Sequence, residues 1–119
     1  MLLFTFLRFS KIVTDEFSDI TENVEILDDR LKICFRGGWM MEVRYPVDDK
    51  YSFHLRAKGE IYRIDTAPHH PEISTYPRHI HFKREDRIIE DRITNIGNSP
   101  EENFREAMVW VRGLLTPYE

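Results

Sequence analysis

Apolar residues recur at three- and four-residue steps from the start of the chain: Leu2, Phe6, Phe9, Val13, Phe17 and Ile20. Arg8, Lys11, Asp15, Glu16 and Asp19 fall largely off that stripe. The spacing predicts one amphipathic helix from Leu2 to about Thr21. Beyond it the period drops to two. Residues 24–27 and 30–36 read as strand, with a bend at Asp28-Asp29, and Gly37-Gly38 is a two-residue hairpin signal. Residues 39–47 return as strand, closed by Pro46 and Asp48-Asp49 in a turn. Residues 51–56 alternate cleanly, and Lys58-Gly59 turns them into residues 60–65. Residues 68–77 hold Pro68, Pro71 and Pro77 and read as a loop, a length that in compact domains is often functional. Alternation resumes over 78–82, and 87–93 reads as a short edge strand.

A second helix opens at Asn98-Ser99-Pro100-Glu101-Glu102. Ser99 is the cap, Pro100 occupies the first turn and two acids sit at the positive helix end. Phe104, Met108, Val111 and Leu115 form its buried stripe, Trp110 and Leu114 widen it, and Pro117 ends it. The expected fold is therefore α+β, a single domain over residues 1–119. It has an N-terminal helix, an antiparallel meander of five or six strands, and a C-terminal helix packed on one face of the sheet.

Length and composition agree with one soluble domain: 119 residues suit one core, and a hydrophobic share of 41% is enough to build it. Cys34 alone forms no internal disulfide, which points to a reducing cytoplasm, where it serves as a small strand hydrophobe. The opening run around Arg8 lacks a basic leader and a cleavage site, and is far shorter than the about 20 apolar residues of a membrane span. Trp39, Trp110, Met40 and Met41 read as core, and Glu85-Asp86 as a solvated turn.

Charge changes the picture. All five histidines, His54, His69, His70, His79 and His81, fall within residues 54–81. Across residues 51–84 six basic residues face three acids, a local +3, whereas the whole chain is −4 and the remainder therefore −7. Alternation places His54, Arg56, Arg63, Asp65, His79 and His81 on one face. Phe53, Leu55, Tyr62, Ile64, Ile80 and Phe82 fall on the other, toward the helices.

Three chemistries fit such a face. Metal-independent RNA cleavage needs a base, an acid and cations for phosphate, which histidine and arginine supply, and Tyr76 offers a ring for a base to stack on. Metal binding by His79-x-His81 with His69 or His70 and Asp65 is the second, supporting hydrolysis or phosphotransfer. The third is structural: His69 and His70 bonding the loop backbone, and Arg63 paired with Asp65. A non-catalytic face that docks an acidic partner belongs with this last reading.

Three segments carry a family resemblance: Tyr51-x-Phe53-His54, Tyr62-Arg63-x-Asp65-x-Ala67-Pro68-His69-His70-Pro71, and Thr75-Tyr76-Pro77-x-His79-x-His81. Together with the order of helix, meander and helix, they resemble the TumE-type toxin family of prokaryotic toxin–antitoxin systems. Arg78 stands where members usually carry a further histidine. An arginine there suits phosphate and tells against a metal ligand. The resemblance implies a small cytoplasmic toxin encoded beside a helix-turn-helix antitoxin; by analogy with other small toxins, the expected target is RNA, with no cofactor. Carried onto this chain, the resemblance covers Arg63, Asp65, His69, His70, His79 and His81. Taken together with the residue reading of the face, His79, His81, His70 and Asp65 are the catalytic candidates, Arg63, Arg56 and Arg78 would hold phosphate, and His69, His54 and Tyr76 would line the rim.

Overall fold

The computed structural model describes residues 2–115. Helix α1 (Leu2–Glu16) leads into a seven-stranded antiparallel sheet, and helix α2 (Pro100–Leu115) closes the fold. The strands are β1 (Thr21–Ile26), β2 (Leu31–Phe35), β3 (Met40–Val47), β4 (Lys50–Ala57), β5 (Glu60–Asp65), β6 (His79–Lys83) and β7 (Ile88–Glu90). They lie in the sheet in chain order, a pure meander. The α+β reading holds, with seven strands where five or six were expected. Pro117, read as the stop of α2, lies outside the described residues. Among those residues no helix is long and apolar enough to cross a membrane.

Local chemistry explains the departures. Helix α1 stops at Glu16, short of Thr21, yet Phe17 and Ile20 stay buried because a turn folds them under the helix end. Gly37-Gly38 is not a two-residue hairpin. A single 3-10 turn over Arg36–Gly38 links β2 to β3, with both glycines at positive φ, 82° and 84°. Lys58 and Gly59, at φ 52° and 81°, do form the tight primed turn whose twist suits a hairpin. Pro46 lies inside β3, where a register irregularity between Arg44 and Val47 spares the missing N–H.

Both helices cover one face of the sheet. Phe9 of α1 stacks on Phe104 of α2 with centroids 4.3 Å apart, and Phe104 reaches Phe53 of β4 at 6.4 Å. Beneath them the alternate residues Leu31, Ile33, Met41, Val43, Phe53, Leu55 and Ile64 are fully buried. The start of α2 is fixed by a reciprocal cap: Ser99 N–H donates to Glu102 Oε1 at 2.8 Å and Glu102 N–H to Ser99 Oγ at 3.1 Å. Asn103 then ties the helix to the sheet by donating to Tyr45 Oη at 3.0 Å.

Phe104 sits where the two helices and the sheet meet, so Phe104→Ala should cost about 3–5 kcal/mol. On the open side of the same helix, Val109→Ala should stay within about 0.5 kcal/mol. Urea unfolding of both variants checks the packing, and comparable losses would contradict it.

Candidate functional site

The bare face of the sheet carries the polar residues of β4, β5 and β6. Pairing sets His54 opposite Arg63, Arg63 opposite His81, and Asp65 between Ser52 and His79. A slip of one residue would send all of them into the core. The expected juxtaposition is thus present.

The loop between β5 and β6 adds one more ring. His70 stands 4.8 Å from His79 and 6.0 Å from His81 between centroids, and the two strand histidines are 5.0 Å apart. His79 and His81 are nearly sealed from solvent, at 1% and 5% exposure, while His70 is half-buried. His69 and Tyr76 are exposed on the same loop.

Each ring of the trio is oriented from behind through Nδ1. That of His79 lies 3.0 Å from the Pro77 carbonyl and that of His81 lies 2.8 Å from the Glu85 carbonyl. That of His70 lies 3.4 Å from a Glu72 carboxylate oxygen. A carbonyl oxygen only accepts, so Nδ1 carries the hydrogen in His79 and His81 and Nε2 is left with its lone pair. Arg63 confirms the assignment for His81, since its Nη2 donates to that Nε2 at 3.1 Å. The same guanidinium bonds the Glu85 carboxylate, and its Nε lies 3.4 Å from Asp65 Oδ2. Asp65 in turn accepts the Ala67 N–H at 2.8 Å, so one carboxylate steadies both Arg63 and the loop entry.

Electrostatics follow burial. Desolvation holds His79 below the ordinary imidazole value of 6.5; His81 and His70 push the same way, against the Pro77 carbonyl and Asp65. His54 is lowered as well, first by burial and then by Arg63 and Arg56. Its Nε2 is buried with no hydrogen-bond partner. Arg56 lies 3.7 Å from Glu42 and keeps part of its surface free.

Arg78 goes elsewhere. Its guanidinium donates to the Asp91 carbonyl at 2.8 Å and to that of Thr94, and lies 3.6 Å from the buried Asp91 carboxylate. Thr94 Oγ1 donates to that carboxylate at 2.5 Å and meets Tyr51 Oη at 2.8 Å. Position 78 therefore braces the segment after β7, and the phosphate role expected of Arg78 finds no support in this placement. Sequence reasoning missed Glu72 and Glu85, the latter having been read as solvated turn. The only signal was their closeness in the chain to His70 and His81.

A cavity of about 340 Å³ opens next to the site, lined by Arg44, Lys50, Ser52, Asp65 and Pro68 among others. Its two cations and apolar wall continue the polar face past Asp65.

The family model described as Toxin TumE matches residues 3–115, nearly the whole chain, and the chain belongs to that family of toxins of toxin–antitoxin systems. No curated protein and no solved structure matches it.

Because burial lowers His79 in the folded state, the unfolded chain takes up this proton first on acidification. The stability contribution is complete above the unfolded value of about 6.5 and is lost as pH falls through the lower folded value. Unfolding free energy in chelator should drop as pH falls below about 6.5, and less steeply in His79→Gln. Equal slopes would contradict burial as the cause.

Proposed function

We propose that this member of the TumE toxins cleaves RNA, with a histidine base, a histidine acid and Arg63 on the phosphate. One observation carries the reading: His70, His79 and His81 converge beside Arg63 with each Nδ1 turned to an oxygen, so that Nε2 is the nitrogen each ring has left. His79 is the better base, since burial favours its neutral ring and its free lone pair is Nε2. It takes the proton of a 2′-hydroxyl. The O2′ then attacks phosphorus, the bond to O5′ breaks, and His70 returns a proton to O5′, leaving a 2′,3′-cyclic phosphate and a 5′-hydroxyl. His70 suits the acid because it comes from the loop beside Glu72, whereas the Nε2 of His81 is taken by Arg63.

Arg63 turns from His81 to the phosphate oxygens as the charge builds, a planar fork being suited to that group. Asp65 and His81 position it. Arg56, part-exposed beside His54, is a second cation along the strand direction, and His69 lies at the rim. Tyr76, 46% exposed, gives a face for an unpaired base, and the cavity with Arg44 and Lys50 takes a neighbouring nucleotide. Side chains fill every role, so the reaction proceeds without a metal. The protein works in the cytoplasm, where its RNA is, and a helix-turn-helix antitoxin silences it by covering this face.

Induction of the chain alone should arrest growth, and His79→Ala, His70→Ala and Arg63→Ala should each lower RNA cleavage by about 10²–10⁴-fold. Sequenced RNA ends should carry cyclic phosphate, and chelator should leave the rate unchanged. Full toxicity and cleavage in all three variants would remove the site from consideration. Cleavage that stops in chelator would replace acid–base chemistry by metal-dependent hydrolysis.

A further inference from the structure

The same three histidines carry the geometry of a metal site. One ligand nitrogen from each of His70, His79 and His81 lies within 4.8 Å of the other two. Behind each ring stands an oxygen, from Pro77, Glu85 or Glu72, that turns Nδ1 away. Such a partner is what fixes the tautomer and aim of an imidazole on a metal. His79 and His81 are already stripped of water, so a bound ion would meet lone pairs that need little desolvation.

Charge agrees. Asp65, Glu72 and Glu85 carry three negative charges close to the rings against one positive charge on Arg63, a local −2 that matches a divalent cation. A set of three neutral nitrogens selects the zinc class of ions over magnesium or calcium, which prefer oxygen.

We infer that His70, His79 and His81 bind one zinc-class ion through their Nε2 atoms, with a fourth position open to solvent, and that occupancy switches off RNA cleavage. Bonds of about 2.0–2.1 Å in a tetrahedral site require the three nitrogens to close up from the present spacing. His70 supplies that movement from its loop, since β6 fixes the other two. Arg63 yields the Nε2 of His81 and keeps Glu85 and Asp65 as partners. The competition is chemical: a lone pair bound to zinc neither removes a 2′-hydroxyl proton nor carries one to O5′. The switch rests on the RNA-cleavage reading, whereas the metal site stands without it.

The test is calorimetric titration of chelator-stripped protein with zinc sulfate, beside RNA cleavage in both states. The expected result is one zinc per chain, a raised Tm, and cleavage suppressed by one equivalent. His70→Ala, half-buried and safe for folding, should weaken binding more than about tenfold, Glu72→Ala by roughly tenfold, and His69→Ala not at all. Cobalt in place of zinc should give the strong visible absorption of tetrahedral nitrogen coordination. No stoichiometric binding, or binding that ignores His70→Ala and His79→Asn alike, overturns the metal site. Cleavage that requires zinc overturns the switch. Stoichiometric zinc with RNA intact in both states overturns the RNA reading and the switch with it, and leaves the metal site in place.

Discussion

The pairing of β4, β5 and β6 is the constraint on which both halves of this molecule rest. In a pleated strand one residue faces up and the next faces down, so a single register decides two surfaces at once. With Phe53 opposite Ile64 and Ile64 opposite Ile80, the helices receive a continuous apolar floor. With His54, Arg63 and His81 in line on the other side, the bare face receives a continuous polar row. A slip would therefore cost the core and the site together. The buried faces of Phe53, Leu55 and Ile64 hold the strand histidines in position as firmly as any direct contact does.

Arg63 is the pivot of that row. Its guanidinium touches His81, Glu85 and Asp65, and its Nε is buried without a well-aligned hydrogen-bond partner. A cation held this way satisfies its neighbours only partly, which makes it exchangeable: a phosphate can offer better-aligned oxygens. The two carboxylates that touch it, Asp65 and Glu85, pull the other way, since they hold the arginine and repel an anion. On the proposed readings the face is thus balanced between a divalent cation at the histidines and a phosphate at the arginine. Which one it takes turns on whether the imidazole lone pairs are free.

Much of this was legible in the chain. Period-two alternation from Tyr51 to Phe82 assigns both faces correctly because strand parity is a local property. Ser99 and Glu102 announce the start of α2 for the same reason, a cap being written in four consecutive residues. What was not legible depends on contacts distant in sequence. Helix α1 stops at Glu16 although its stripe continues, because burial of Phe17 and Ile20 is satisfied as well by a turn as by a helix. Arg78 stands where the resembled family carries a histidine and was expected on phosphate for that reason, and only the fold shows the Asp91 and Thr94 carbonyls that take its guanidinium. Likewise, nothing in the pattern tells His69 from His70, although one is exposed and the other completes the trio.

That last distinction comes from how the loop is held. At its start, Asp65 grips the Ala67 N–H. Near its end, Thr75 Oγ1 accepts from Asp91 N–H at 3.0 Å and donates to the Arg78 carbonyl at 2.6 Å, while Ser74 bonds the Glu90 carboxylate. These ties reach β7 and the segment after it, so the far end of the loop is bound to the sheet edge. His70 lies between the two anchorages, its ring resting on His79 and its Nδ1 facing Glu72. An imidazole carried this way can advance on two rigid strand histidines without disturbing either end. The proposed closure on a metal ion uses that freedom. On the readings proposed above, the arrangement that suits His70 to the acid role is therefore the one that opens the site to capture by a metal.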